Sequence, residues 1–213
     1  MSAKAIKIQD KIPKQKVCKV CKAKYTPNRP LQMLCSVKCS YKYVEILNKK
    51  KARKEKQEGY ERLMTHSDWS NELQKIMNHI ARLIDKDVPC ISSLRMGGKI
   101  AGGHRFSVGA NPQLRFNLLN IHAQSFEQNS HKSGNPDGYD KGLLELYGSE
   151  YLETVHELKT KYTTLKLTIP ELIQAKSKAS KVVSALKKLD STYAPKMRIE
   201  LRRKFNEQIG IYK

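Results

Sequence analysis

The sequence predicts an α+β fold that is mostly helical, with an N-terminal four-cysteine zinc knuckle, a central core of two strands and a helix, and basic C-terminal helices. Three observations carry this expectation. Cys18, Cys21, Cys35 and Cys39 form a C-x2-C pair and a C-x3-C pair joined by a loop, and two short chelating pairs can each wrap one edge of a tetrahedral zinc ion. Long stretches on either side of the centre repeat apolar residues every three or four positions, the period of an amphipathic helix. Between them, residues 99–135 gather His104, His122 and His131 among asparagines and glycines, with hairpin signals followed by helix signals.

Taken in order, residues 1–16 read as a basic flexible tail and residues 17–40 as the zinc knuckle. Residues 41–66, which include the run KKKARKEK, read as a charged helical linker, because their apolar positions are too sparse for a deep core. Residues 67–160 hold the core and its flanking helices. Ser67 is placed to cap a helix whose apolar stripe, Trp69, Leu73, Ile76, Met77, Ile80, Leu83 and Ile84, should pack on the hairpin and end before Pro89. His79 beside that stripe reads as structural. Gly97-Gly98 marks a turn and residues 99–106 a return strand, while Gly102-Gly103 predicts a sharp bend at His104. Helices are expected over 139–147 and 149–161. Residues 161–213 form the basic C-terminal region, with one helix opened by Thr168, Pro170 and Glu171, which together make a capping box, and a last one over 195–206.

The chain of 213 residues carries 41 Lys and Arg against 20 Asp and Glu, a formal charge of +21. Such an excess favours a polyanionic partner, since cations that neutralise phosphates release condensed counterions. No apolar run approaches the ~20 residues of a membrane helix, so no membrane partner and a cytoplasmic location are expected. Cysteines in a reducing compartment read as metal ligands before disulfides.

The chemistry that fits residues 99–135 is phosphodiester hydrolysis by one metal ion. Only imidazole has an ordinary pKa near enough to neutrality to deprotonate water, and His104 is the candidate base. Asn120 is the candidate group that orients it, although an asparagine there also suits a turn. Asn129 is the candidate ligand of a hard cation, Mg2+ or Mn2+. His122 stays open between cation ligand, a group behind a ligand, and a structural histidine. Arg115 and Lys132 are candidates to clamp a phosphate, and His131 to contact one. Arg105, Lys22, Arg202 and Arg203 complete the candidate DNA-binding set.

The ordered set GGHR, PQLRFNLLNIHAQ and NSHKSGN, followed by Tyr139 and the Leu143-Leu144 run to Gly148, resembles the phage NinG (Rap) recombination proteins. The resemblance spans roughly residues 17–160 and takes in SDWSNELQKIMNHIARLIDKDVPCIS upstream. It implies a ββα-metal (HNH-like, His-Me-finger) core and a metal-dependent endonuclease for branched DNA such as Holliday junctions. A further implication is products that carry 5′-phosphates.

The departures from that family pattern are specific. Where the family carries two Cys-x-x-Cys pairs flanking the core, this chain keeps Cys90 and has Ser93, Ser125 and Gln128 at the other places. A closed zinc site needs four ligands, so this part of the core must be held by packing or a hydrogen-bond cluster. Ala101 stands where the family has an acidic residue ahead of the histidine. Two opposed cuts in a four-way junction suit a two-fold homodimer. The rival expectations are a catalytically inactive DNA-binding recombination-accessory protein on a degenerate core, and an RNA-binding protein, which the lack of an aromatic stacking platform disfavours.

Overall fold

The computed structural model describes residues 14–212, so the expected basic tail falls almost entirely outside the described residues. The chain divides into two compact units, residues 1–63 and 64–213.

In the first unit a two-stranded antiparallel ribbon, β1 (Lys16–Val17) and β2 (Lys24–Tyr25), carries Cys18 and Cys21 in its turn. The turn is closed by Cys18 N–H donating to Ala23 O at 2.9 Å, and Lys22 takes the left-handed conformation with φ 62°. Cys35 precedes helix α1 (Val37–Leu63), and Cys39 lies in its first turn, where its N–H donates to Ser36 Oγ at 3.3 Å. Beyond Cys39 the helix is exposed along its length and is laced by Glu45–Lys49, Lys51–Glu55 and Lys54–Glu58 pairs at i,i+4, the spacing that brings side chains together on one helical face.

The second unit is built on a hairpin between helical layers. Helix α2 (His66–Ile84) is capped by Thr65 rather than by Ser67: Thr65 and Asp68 form the reciprocal capping box. Its apolar stripe buries Trp69, Leu73, Met77, Ile80 and Ile84 against Leu172, Ala175, Ala179, Val182 and Leu186 of α5 (Ile169–Leu189). Strand β3 (Ile100–His104) pairs antiparallel with β4 (Ile121–Ser125), in the register Ile100↔Ser125 to His104↔Ile121. The partner of the return strand is therefore β4, 17 to 25 residues downstream from His104↔Ile121 to Ile100↔Ser125, rather than a strand before Gly97-Gly98. Those two glycines do not make the expected hairpin turn: the turn lies at residues 91–93, and Gly97 and Gly98, at φ 91° and 77°, only bend the chain into β3.

Gly102 and Gly103 do not bend the chain, because both lie inside β3. Their service is close approach. A Cβ on Gly102 would come 2.7 Å from Cβ of Asn78 on α2, and one on Gly103 would overlap the side-chain amide of Gln124. Period-two alternation sends residues 102 and 104 to the α2 side, and His122 and Gln124 to the opposite side.

That opposite side is covered by α3 (Pro136–Tyr147) and α4 (Ser149–Lys161), whose Tyr139, Leu143, Tyr151, Val155 and Leu158 close a second core over Ile91, Phe106, Leu114 and Leu119. Helix α5 begins with the Thr168–Glu171 capping box the sequence predicts. Helix α6 (Pro195–Ile209) buries Arg198, Arg202, Phe205 and Asn206, and its Asn206 Oδ1 accepts from Leu118 N–H at 2.9 Å. The C-terminal helices thus belong to the same compact unit as the hairpin, and the division expected near residue 160 is absent. No helix among the described residues is long and apolar enough to cross a membrane.

Candidate active site

His104 closes β3 and projects toward α2. Its Nε2 lies 3.0 Å from the carbonyl oxygen of Arg115 and 3.3 Å from the side-chain amide of Gln74. A carbonyl only accepts, so Nε2 carries the proton, and in the neutral ring Nδ1 is left with the lone pair. Burial lowers the His104 pKa below its ordinary value; the Arg115 cation lowers it too, and the hydrogen bond to the Arg115 carbonyl opposes both. The imidazole is therefore neutral and tautomerically fixed at pH 7, the state a general base requires.

Arg115 reaches its place because the segment 112–121 folds as two short 3-10 turns, Pro112–Leu114 and Leu118–Asn120. Its guanidinium Nη2 donates to Asn71 Oδ1 at 2.7 Å, and Gln74 donates to Asn78 at 2.7 Å. Asn71, Gln74 and Asn78 are spaced i, i+3, i+7 and so share one face of α2, the face turned to β3. Sequence reasoning assigned this helix only a packing role. The repeat of amides opposite its apolar stripe was the available signal.

Asn120 does not orient His104. Fully buried, it accepts from Phe106 N–H at 2.8 Å and donates to Phe106 O at 3.0 Å and Leu114 O at 3.3 Å, which braces the loop between the strands. The Arg115 carbonyl holds the ring instead.

His122 is not a cation ligand either. It is fully buried, with Nδ1 3.0 Å from Tyr139 Oη and Nε2 3.0 Å from Tyr151 Oη. Tyr139 gives its own proton to Gly103 O at 2.9 Å, so Nδ1 donates to Tyr139 and Nε2 accepts from Tyr151. Burial, with Arg202 adding to it, holds this ring well below the ordinary histidine pKa. Both nitrogens are taken.

Asn129 lies in a single π-helical turn, Glu127–His131, past the end of β4. The register places His104 opposite Ile121 and Asn129 beyond Ser125, roughly 13 Å or more along the strand direction at ~3.3 Å per residue. The hairpin therefore does not bring the two together.

The candidate DNA-binding cations divide sharply. Arg202 is in the core, with no exposed side-chain surface, paired with Asp85 at 2.6 Å. Arg105 forms a bidentate pair with Asp140, which also meets His156 at 3.1 Å. Lys132 is exposed and sits 3.2 Å from Glu127, and His131 is exposed beside the Phe126 ring. Arg203 and Lys22 are exposed, with the Lys22 ammonium 3.2 Å from Lys19 O.

In the separate knuckle unit the ligating atoms of Cys18, Cys21, Cys35 and Cys39 all lie within 4.8 Å of one another, with Cys21–Cys35 at 3.5 Å and Cys35–Cys39 at 3.6 Å. Four sulfurs at tetrahedral Zn–S distances stand about 3.8 Å apart, so the cluster fits a structural zinc. The Cys18 thiol is lowered to about 6 by the backbone N–H groups of Cys21, Cys35 and Val20, which outweigh its burial. Its neighbour Cys35 is pushed the other way, up to about 12, by the hydrogen bonds it shares with Cys21 and Cys39.

A family model described as Bacteriophage Lambda NinG protein matches residues 10–190. The chain belongs to the NinG family. Among curated NinG relatives, Protein ninG of Enterobacteria phage H19B is 31% identical over 194 residues, covering 82% of this chain and 95% of the relative. Protein ninG of Escherichia phage lambda is 36% identical over 110 residues, 51% of this chain and 52% of the relative. Protein ninG of Salmonella phage P22 is 34% identical over 110 residues, 51% and 53% of the two chains. No solved structure matches. In this NinG chain the four-cysteine cluster suits zinc, and a neutral, carbonyl-held histidine stands on the hairpin.

Proposed function

We propose that this NinG protein is an endonuclease for branched DNA, of the His-Me-finger (HNH-like) type, acting in phage recombination. The observation that carries the reading is His104, held neutral by burial with its tautomer set by the Arg115 carbonyl. In the reaction Nδ1 of His104 takes the proton of the attacking water as its oxygen bonds to phosphorus and the P–O3′ bond breaks, the departing 3′-oxygen taking a proton from solvent. The Arg115 guanidinium, kept in place by Asn71, neutralises charge on the phosphate. The expected products are 5′-phosphates, and the symmetry of a four-way junction favours a homodimer.

The Mg2+ or Mn2+ expected from the sequence meets no carboxylate hydrogen-bonded to His104 among the described residues; the side-chain oxygens nearby are those of the Asn71, Gln74 and Asn78 amides. Hard cations prefer carboxylate and other oxygen ligands, whereas the charged group acting on His104 is the cation Arg115. Ala101 lies on β3, and Asn129 and His122 are directed elsewhere. No step here is routed through a metal ion.

The lack of a carboxylate partner at His104 among the described residues, with Ala101 on β3, favours a second reading, a non-cleaving DNA-binding accessory protein. The deciding experiment is cleavage of a labelled four-way junction beside linear duplex, with Mg2+, Mn2+ or chelator, by wild type and His104→Ala. Junction-selective cutting lost in the variant supports the nuclease. Tight junction binding without cutting in any condition replaces it with the accessory protein.

A further inference from the structure

At the end of the hairpin remote from His104 the surface opens into a cleft of about 490 Å³, within the size range of small-ligand sites. Its walls come from the loop before β3 and the turn after β4, and its cations are Arg95, Lys99 and Lys132. The carboxylate in the lining, Glu127, is already paired with Lys132 at 3.2 Å. Arg95 and Lys99 have no carboxylate partner among the described residues. Two further clefts among the described residues each mix two glutamates with their cations, Glu150 and Glu200 in one, Glu157 and Glu207 in the other.

The cleft also holds an aromatic ring. Phe126 lines it with 43% of its surface exposed; the Lys99 ammonium sits over the ring, 5.0 Å from its centre, and the His131 ring stands edge-to-face 5.8 Å away, so a base stacks on the part of the ring they leave open. The position is fixed by the fold, since Phe126 N–H donates to Lys99 O at 2.8 Å. At the rim, Gly97 and Gly98 meet nothing within 4 Å of an ideal Cβ, so the backbone there lies open to close approach by a ligand.

A ring for stacking beside cations for a phosphate is the pattern by which proteins hold single-stranded nucleic acid. We infer that this cleft binds an unpaired nucleotide, its base on Phe126 and its phosphate between Arg95 and Lys99. The inference rests on the reading of the chain as a protein that acts on DNA. The cleft and His104 are separated by the length of β3, roughly 13 Å, or about four steps along one strand of a duplex. An unpaired nucleotide held there selects branch points and frayed ends over continuous duplex, because a paired base cannot reach the ring without leaving its stack.

The test is fluorescence of the full-length Phe126→Trp protein titrated with the single strand (dT)8, with a blunt hairpin duplex of equal phosphate content, and with pyrophosphate. Stacking on the new indole quenches it. The expected result is saturable quenching by (dT)8 alone, with about tenfold weaker binding when Lys99→Ala is added. Quenching by duplex or pyrophosphate to the same extent, or binding of (dT)8 without quenching, overturns the inference.

A second measurement on wild-type protein covers the case in which the indole disturbs the loop. A (dT)8 carrying one 5-iodouracil is irradiated and the adduct mapped; cross-linking at Phe126 is expected, and adducts only elsewhere overturn the inference. Neither readout needs cleavage. Quenching of Phe126→Trp and cross-linking of a wild-type protein that cuts no junction keep the cleft while rejecting the nuclease.

Discussion

Asp85 and Arg202 are 117 residues apart in sequence and meet at 2.6 Å, with both side chains withdrawn from solvent. Asp85 caps the end of α2 and also accepts from Ala123 N–H of β4 at 2.8 Å and from the Tyr147 hydroxyl at 3.0 Å. Arg202 of α6 donates to Leu118 O at 3.1 Å. One ion pair thereby ties α2, β4, α3 and α6 around the hairpin that carries His104.

Removing one partner of this pair leaves the other charge buried and unmatched, a cost of about 3–5 kcal/mol. Arg202→Met is expected to lower folding stability by that order in urea unfolding followed by circular dichroism. Restoring most of the loss with Asp85→Asn in the same chain would show that the stranded carboxylate, rather than lost packing, was responsible. Burial alone would raise the Asp85 carboxyl, but Arg202 and the other partners hold it below the ordinary carboxylate value. A depressed carboxylate contributes stability above the unfolded pKa and loses it as pH falls toward the folded one, so wild type weakens below about pH 4.

The two buried histidines add a second pH dependence at milder acidity. His104 and His122 both have pKa values lowered chiefly by burial, so below about pH 6.5 the unfolded chain binds protons that the folded one refuses. Stability is complete above pH 6.5 and falls as pH drops, by up to about 1.4 kcal/mol per unit for each ring. Chemical unfolding between pH 5 and pH 7.5 measures this slope. His122→Gln should reduce the slope while lowering stability at pH 7; an unchanged slope would mean that His122 is not held neutral in the folded protein.

The start of α5 was legible from the sequence because capping is local chemistry, as Thr168, Pro170 and Glu171 illustrate, whereas at α2 the cap fell on Thr65, two residues before the expected Ser67. The cysteine cluster was legible for the same reason, its spacing being the geometry of one ion. Arg202 was not. In MRIELRRKF it is indistinguishable from its exposed neighbour Arg203, and only the distant Asp85 reveals that it is buried. Asn120 and His122 misled similarly. Their residue types suit catalysis, but period-two alternation and long-range partners such as Tyr151 decide which way they face. Gly102-Gly103 showed that a glycine pair can signal tight packing as well as a turn.

The cysteine cluster predicts a metal effect confined to the knuckle. Chelation of zinc, or Cys21→Ser, should release amide protection across residues 16–39 in hydrogen exchange while α2, β3 and β4 keep theirs, because the four ligands all belong to the first compact unit. Metal analysis should return one zinc per chain. Loss of protection in the hairpin on chelation would mean that the ion also supports the second unit.

Gly142 and Gly103 separate packing against backbone from packing against a side chain. A Cβ at Gly142 would run into the carbonyl of Ile91, whereas one at Gly103 meets the amide end of Gln124. The Ile91 carbonyl belongs to a segment held by Ile91 N–H donating to Ala123 O at 2.9 Å, so it cannot retreat without disturbing β4. The Gln124 amide can swing aside, at the expense of its hydrogen bonds to Ser92 and Gly134, while its Cβ, 2.8 Å from the added carbon, requires a smaller shift of the two strands. Gly142→Ala is therefore expected to cost about 1–3 kcal/mol, as overpacking against fixed atoms does, and Gly103→Ala less. Equilibrium unfolding of the two variants compares them directly. The reverse order would show that the Gln124 bonds are worth more to the hairpin than the seating of α3 on Ile91.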